Sequence, residues 1–270
     1  MTDTPKPISI PAATVILARE GPGGVPEFLL VQRGEQLAFA GGALVFPGGR
    51  VDAGDIHIAR NELLAFGFDG LDDIDAAARV TCAREALEET GVLLTDGPHP
   101  DEAALAKARH VLASGPDEAE SVGFAGLLGA MGHRVEAARF IPFARWEPPA
   151  AAAIVRRFDT RFYLADAGRS ASAAITPDGF EAKALRWTTA AQAISDYDAG
   201  RAAMVFPTWC NMHRLAQYQT LAVLFERVNA LPAPYVQPAF ETIDGEPWLT
   251  ISEGIDYPVT RDRLNNLRRE

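Results

Sequence analysis

The sequence predicts an α/β fold, built as one domain with a helical insertion and a C-terminal extension. Strand-like and helix-like segments alternate along the chain with no low-complexity linker, which is typical of α/β domains. The segment 72–90 has the apolar periodicity of an amphipathic helix. Asp244-Gly245 lies between alternating apolar stretches, the strongest short signal for a β-hairpin. These three observations predict a single domain over 1–270, with the extension at about 232–270.

Each element follows from a local pattern. The first two strands are separated by the glycine- and proline-rich loop 21–26, which is typical of a hairpin turn. Gly91 is expected to end the helix 72–90, because glycine readily adopts the left-handed conformation that closes helices. A second long helix is predicted over 208–228. The predicted strands are 12–19, 27–32, 43–46, 140–146, 155–165 and 182–187, and the other predicted helices are 101–113, 124–131 and 189–197.

Composition and charge narrow the classes of function. The chain has 270 residues, a net charge of −11 and an isoelectric point near 5.0. Such a charge argues against nucleic acid or an anionic membrane surface as the main partner. The two cysteines are too few for a disulfide framework, so reduced thiols and a cytoplasmic location are expected. The sequence has no run of 18 apolar residues, and we therefore predict no membrane span.

The strongest chemical signal is R-E-A-L-E-E-T-G-V at 84–92. At 100° per residue, Glu85, Glu88 and Glu89 share one wedge of the helix about 100° wide. Apolar side chains occupy the opposite side, which can dock on a core. Like charges three and four residues apart destabilise an isolated helix, so a positive partner is expected. A divalent cation is the first candidate.

An acidic helix face is more often plain solvated surface, and that is the alternative interpretation. The glycine pair Gly48-Gly49 favours a metal site, because glycine allows backbone to approach an ion closely. A simple turn is the alternative for this pair. Its position before the acidic motif makes the metal site the preferred interpretation.

The segment resembles the second half of the Nudix box, G-x5-E-x7-R-E-U-x-E-E-x-G-U, where U is a bulky apolar residue. Counted from Gly49, the first acidic position falls on Asp55. The box has seven residues between its first acidic position and its arginine, whereas in this chain residues 56–83 lie between Asp55 and Arg84, which is about 21 more. The box therefore spans 49–92, with an insertion at about 56–76. Three features of the chain resemble the coenzyme A diphosphatase branch of this family. They are the interruption of the box, the run F-x-G-G-x-x-D-x-x-D that begins at Phe46, and the run R-F-D-T that begins at Arg157.

The resemblance implies a Nudix-type α/β/α sandwich with a mixed sheet, and a diphosphatase that depends on Mg²⁺ or Mn²⁺. The metal would be held by Glu85, Glu88 and Glu89 together with the Gly48 carbonyl. Arg84 would fix the rotamers of the glutamates. Hard cations of this kind take oxygen ligands. The number of ions stays open, as does whether Glu85 is a ligand or the base that takes a proton from water.

Asp55 and several basic residues are further candidates. Asp55 is expected to orient a water molecule or Arg84 without touching the metal, and a plain loop acid or a helix N-cap is the alternative. Arginines on the strands are candidates for binding phosphate, with surface ion pairs as the alternative for two of them. These candidates are Arg33, Arg157 and Arg161, and Lys183 or Arg186 could serve a 3′-phosphate.

Coenzyme A or an acyl-coenzyme A is the first choice of substrate, giving 3′,5′-ADP and (acyl-)phosphopantetheine. ADP-ribose, NADH or another nucleoside diphosphate derivative is the alternative within the enzymes. The alternative of a different class is a catalytically silent module that senses a nucleotide. The three glutamates of the box favour an enzyme. The expected partner is a small nucleotide, and the sequence leaves open a homodimer.

Overall fold

The computed structural model describes residues 9–34, 42–98, 100–113, 123–149, 157–168 and 182–264. Its main sheet has eight strands, and strand β1 (Ser9–Glu20) lies in the middle. One edge of β1 pairs in parallel with β8 (Arg157–Asp166). Its other edge pairs antiparallel with β2 (Pro26–Arg33) and with β4 (Gly48–Arg50). The sheet is completed by β3 (Leu44–Val45), β7 (Ile141–Trp146), β9 (Ala182–Thr189) and β10 (Tyr235–Val236).

Helices cover both faces of this sheet. Alternate residues of a strand point to opposite faces, and β1 is apolar on both. Ala13 and Val15 face a core shared with α1 (Ala53–Ala59), α2 (Asp73–Glu85), α3 (Glu102–Ala113) and α4 (Gly123–Met131). Ile16 and Ala18 face a second core shared with α5 (Ala190–Asp198), α6 (Phe206–Leu215) and α7 (Leu221–Ala230). The predicted α/β/α sandwich with a mixed sheet is confirmed.

Two predicted helices differ from the structure. The predicted helix 72–90 is α-helical only to Glu85, and Ala86–Thr90 forms a π-helical turn that ends at Gly91 in the left-handed conformation. The single helix predicted over 208–228 is wrong, because α6 and α7 are separate. Thr220 caps α7 by accepting a hydrogen bond from the Val223 N–H at 3.3 Å. Such a cap starts a new helix where periodicity alone indicates continuation.

The C-terminal extension packs onto the second core. The predicted hairpin is confirmed: β11 (Ala239–Ile243) pairs with β12 (Glu246–Thr250) through Asp244 and Gly245, both at positive φ. Strand β13 (Arg261–Arg263) adds to β12. Tyr257 anchors the extension by donating to Asn211 Oδ1 at 2.7 Å.

Two short strands lie apart from both sheets. β5 (Ala65–Phe66) falls in the predicted insertion and pairs in parallel with β6 (Val135–Glu136). The insertion also contains the end of α1 and the start of α2. Among the helices of the described ranges, none combines the length and hydrophobicity needed to cross a bilayer.

Candidate active site

Two glycines of β4 form the floor of the candidate site. Gly49 pairs with Ala13 of β1, and a Cβ added at Gly49 would lie 2.1 Å from Glu85 Oε1. A Cβ added at Gly48 would lie 2.5 Å from the Ala13 carbonyl oxygen. The Glu85 carboxylate therefore occupies the space that any side chain at Gly49 would need, and Gly48 allows two strands to approach closely.

The three glutamates of the motif lie where α2 meets this floor. Glu85 is the last residue of α2, and Glu88 and Glu89 belong to the π-helical turn. Glu89 is 6% exposed and accepts a hydrogen bond from the Gly48 N–H at 3.2 Å. Side-chain exposure is 12% for Glu85 and 28% for Glu88. π-helical turns are rare and concentrate at functional sites. The rotation of 100° per residue assumed for an α-helix holds only as far as Glu85, because Ala86–Thr90 is π-helical.

Arg109 of α3 supports the π-helical turn, a contact that the sequence did not predict. Its Nε donates to the Leu87 carbonyl at 3.1 Å, and its Nη2 donates to the Glu88 carbonyl at 3.2 Å. Carbonyl groups at the end of a helix lack partners within the helix. The Leu87 carbonyl already accepts a hydrogen bond from the Gly91 N–H at 2.9 Å. Arg109 adds a second hydrogen bond there and one to the Glu88 carbonyl, and so fixes the backbone that carries Glu88.

Arg84 joins two of the glutamates. Its Nη1 donates to Glu85 Oε1 at 2.7 Å and lies 3.6 Å from Glu88 Oε2. Burial opposes the charged form of Arg84. The hydrogen bond to Asp55 and the charge of Glu85 outweigh it, and the pKa of the guanidinium is raised above its ordinary value. Arg84 therefore stays charged and holds both carboxylates beside it.

Asp55 of α1 holds Arg84 from the other side. The side chain of Asp55 is 1% exposed, and its two oxygens accept hydrogen bonds from Arg84 Nε at 3.0 Å and Nη2 at 2.9 Å. It also accepts from the Thr81 hydroxyl at 2.8 Å and from the Asp52 N–H at 3.0 Å. Asp55 thus contacts Arg84, and it is not the N-cap of α1 but the N3 residue that closes the capping box begun by Asp52. This contact bridges the inserted residues.

The basic residues singled out in the sequence lie in different surroundings. Arg161 of β8 pairs with Ala13, so its side chain lies on the same face as the glutamates, and it donates to Asp159 at 3.2 Å. Arg157 is buried and donates to the Pro149 and Pro148 carbonyls at 2.9 and 3.0 Å. Arg33 is the last residue of β2. The phosphate-binding roles of all three remain predictions.

Arg186, considered for a 3′-phosphate, lies on the wrong face of the sheet. It pairs with Leu30, whose side chain belongs to the second core. Its Nη2 donates to Asp196 of α5 at 2.5 Å. Hydrogen bonds from Arg201 and Arg186 lower the pKa of Asp196 to about 2. Arg186 is therefore engaged away from the glutamates.

Comparison with known proteins agrees with this geometry. A crystal structure of a NUDIX hydrolase from Alicyclobacillus acidocaldarius superposes with a TM-score of 0.69 and 25% sequence identity. The match covers 83% of this chain and 99% of that one. The chain has the fold of a Nudix hydrolase and is similar to one in sequence.

One relative is similar in sequence over most of this chain. Acyl-coenzyme A diphosphatase NUDT19 of Xenopus laevis is 24% identical over 235 residues. The match covers 71% of this chain but only 60% of the length of that relative. No protein-family model matches the chain. The likeness supports a place near the coenzyme A diphosphatase branch.

The donor chemistry of the Nudix box fits a hard cation. Within the described ranges, no three carboxylate, imidazole or thiol groups stand ready-made as a metal cluster. The available donors beside the glycine floor are nevertheless carboxylates, the ligands that Mg²⁺ and Mn²⁺ prefer. Glu85 and Glu88 contact one guanidinium, and Glu89 contacts the floor itself. The three carboxylates therefore lie in one region of the surface.

Replacing Gly49 by alanine is expected to lower the proposed activity at least tenfold, because the new Cβ displaces the Glu85 carboxylate. A misplacement of about 1 Å at a reacting centre can cost ~10²-fold in rate. Gly54→Ala is the matched control, since a Cβ there meets nothing within 4 Å and alanine favours the helix α1. Steady-state rates and melting temperatures should separate the two variants. Equal activity in both would contradict the packing of Glu85 on Gly49.

Proposed function

We propose that this Nudix protein is a divalent-metal diphosphohydrolase that cleaves the diphosphate of a nucleotide derivative. One observation carries the proposal. Glu85 and Glu89 contact a glycine floor that has no room for side chains. The buried Asp55–Arg84 pair holds Glu85 there and lies 3.6 Å from Glu88. A solvated acidic surface needs neither the floor nor the buried pair.

The residues that would hold Mg²⁺ or Mn²⁺ are Glu85, Glu88 and Glu89 with the Gly48 carbonyl. When bound, the cation neutralises charge on phosphoryl oxygens and lowers the pKa of a water molecule. The chain supplies the positioning. Arg84 stays charged and keeps two carboxylates in place, and one of the glutamates takes the proton of the attacking water. Pre-set geometry of this kind lowers the entropic cost of the reaction.

We propose coenzyme A or an acyl-coenzyme A as the substrate, with 3′,5′-ADP and (acyl-)phosphopantetheine as products. The likeness to an acyl-coenzyme A diphosphatase, the interrupted box and the R-F-D-T segment at 157–160 support this choice. In β8 that segment places Asp159 beside Arg161, on the face of the glutamates.

The test is a panel assay with product identification. The purified protein is incubated with Mg²⁺ or Mn²⁺ and coenzyme A, an acyl-coenzyme A, ADP-ribose or NADH, and products are identified by mass. We expect release of 3′,5′-ADP from coenzyme A and from its acyl form. Turnover of ADP-ribose or NADH alone would keep the metal chemistry and overturn the choice of substrate. Absence of turnover with every compound would overturn the proposed reaction.

A further inference from the structure

Five residues on five neighbouring strands form one row across the main sheet. The strand register pairs Gly49 with Ala13, Ala13 with Arg161, Arg161 with Arg145, and Arg145 with Tyr235. Residues paired in this way project from the same face, which here is the face of the three glutamates. Neighbouring strands are about 4.8 Å apart, so the row extends about 19 Å from the glycine floor to Tyr235.

The outer end of this row combines an arginine with an aromatic ring. The side chain of Arg145 is 43% exposed, and its guanidinium carbon lies 5.4 Å from the centre of the Tyr235 ring. Tyr235 itself is 51% exposed. Exposed aromatic residues that are stacked by arginine are common in sites that bind nucleotide bases.

Asp159 holds the two arginines of the row in fixed positions. Its oxygens accept hydrogen bonds from Arg145 Nε at 2.7 Å, from Arg145 Nη2 at 2.8 Å and from Arg161 Nη1 at 3.2 Å. A guanidinium has five N–H donors, and this bidentate contact uses two of those on Arg145. Glu147 lies 3.7 Å from Arg145. Two carboxylates lie beside the two arginines, so charge alone gives little selectivity for an anionic ligand. The ring of Tyr235 therefore has to contribute to recognition of the ligand.

We propose that Arg145 and Tyr235 form a second subsite, which binds a nucleoside that carries a phosphate on its ribose. The base stacks on Tyr235 and the ribose phosphate is bound by Arg145. Arg161, midway along the row, is then placed for the diphosphate. The proposal rests on the proposed function for the position of the scissile bond, and it identifies which end of the substrate lies over the sheet.

The test is equilibrium binding of 3′,5′-ADP to the metal-free protein, measured by titration calorimetry. We expect Tyr235→Ala and Arg145→Gln each to weaken binding roughly tenfold, the scale of one lost stacking or charged contact. Tyr235→Phe should keep the affinity because it keeps the ring. The controls are Phe240→Ala, an aromatic residue 49% exposed, and Arg134→Gln. Arg134 is 45% exposed, stacks over Phe66 and pairs with Asp96, so it matches Arg145 elsewhere on the surface.

A second ligand separates the two halves of the subsite. Wild-type protein should bind 3′,5′-ADP more tightly than 5′-AMP, and Arg145→Gln should remove that preference while Tyr235→Ala weakens both. Melting temperatures close to wild type would show that the variants are folded. Equal losses in Arg145→Gln and Arg134→Gln, or no measurable binding by the wild type, would overturn the subsite.

This binding experiment and the hydrolysis assay fail separately. If the variants lose 3′,5′-ADP as expected but coenzyme A is not cleaved, the subsite stands and the proposed reaction is wrong. If coenzyme A is cleaved while all variants bind 3′,5′-ADP like wild type, the reaction stands and the subsite is wrong.

Discussion

Glu88→Gln and Glu89→Gln should each lower hydrolysis by about 10³-fold or more while the fold is retained. Glutamine keeps the size of the side chain but removes the charge that a cation requires. In Glu89→Gln the amide oxygen can still accept the hydrogen bond that the Gly48 N–H donates at 3.2 Å. The loss should therefore appear in kcat and in metal affinity. Steady-state kinetics with Mg²⁺ titrations, beside melting temperatures, would measure it.

Glu226→Gln is the control for these variants, since Glu226 is exposed on α7, on the opposite side of the sheet. It should behave as wild type in every measurement. Wild-type rates in Glu88→Gln or Glu89→Gln would refute the assigned metal ligands. A loss of rate together with a collapse of melting temperature would assign the glutamates a structural role instead.

Asp55→Ala should lower the free energy of unfolding by about 3–5 kcal/mol, the range found when one partner of a buried ion pair is removed. Arg84 would keep its charge in a site where it is 14% exposed, without its bidentate partner. The Thr81 hydroxyl and the Asp52 N–H would lose an acceptor as well. Urea unfolding followed by circular dichroism would measure the change, and activity should fall with it.

Asp52→Ala provides the comparison, because Asp52 belongs to the same capping box but its side chain is 50% exposed. Loss of a cap costs about 1 kcal/mol. The Asp52 carboxylate lies 3.9 Å from Arg84, and exposed pairs contribute little. If Asp55→Ala costs no more than Asp52→Ala, the buried pair is not what fixes Arg84.

The sequence predicted the acidic part of the site because local spacing there determines the geometry. Glu85, Glu88 and Glu89 lie within one turn and a half of chain, so any helical conformation brings them together. It did not predict the π-helical turn, since that turn depends on Arg109 reaching across from α3. Nor did periodicity show that Thr220 divides the second long helix.

The Arg145–Tyr235 pair could not be found from sequence for a different reason. The two residues are 90 positions apart and meet only because β10 adds to β7 in one particular register. A shift of β10 by one residue would turn the Tyr235 side chain to the other face, away from Arg145. The contact between Asp55 and Arg84 was expected from the resemblance, whereas α1, a short helix that contains Gly54, was not.

Among the described strands, the central strand β1 precedes all of its partners along the chain. Its ten register partners on β8 lie about 150 residues further along the chain. At ~5–20 residues per second, roughly seven to thirty seconds separate translation of the two strands. During that interval an apolar strand edge has no partner from β8, and distant parallel pairing is slow to form. Productive folding of this protein should thus depend on protection of the nascent N-terminal strand, and chains that end before 157 should aggregate.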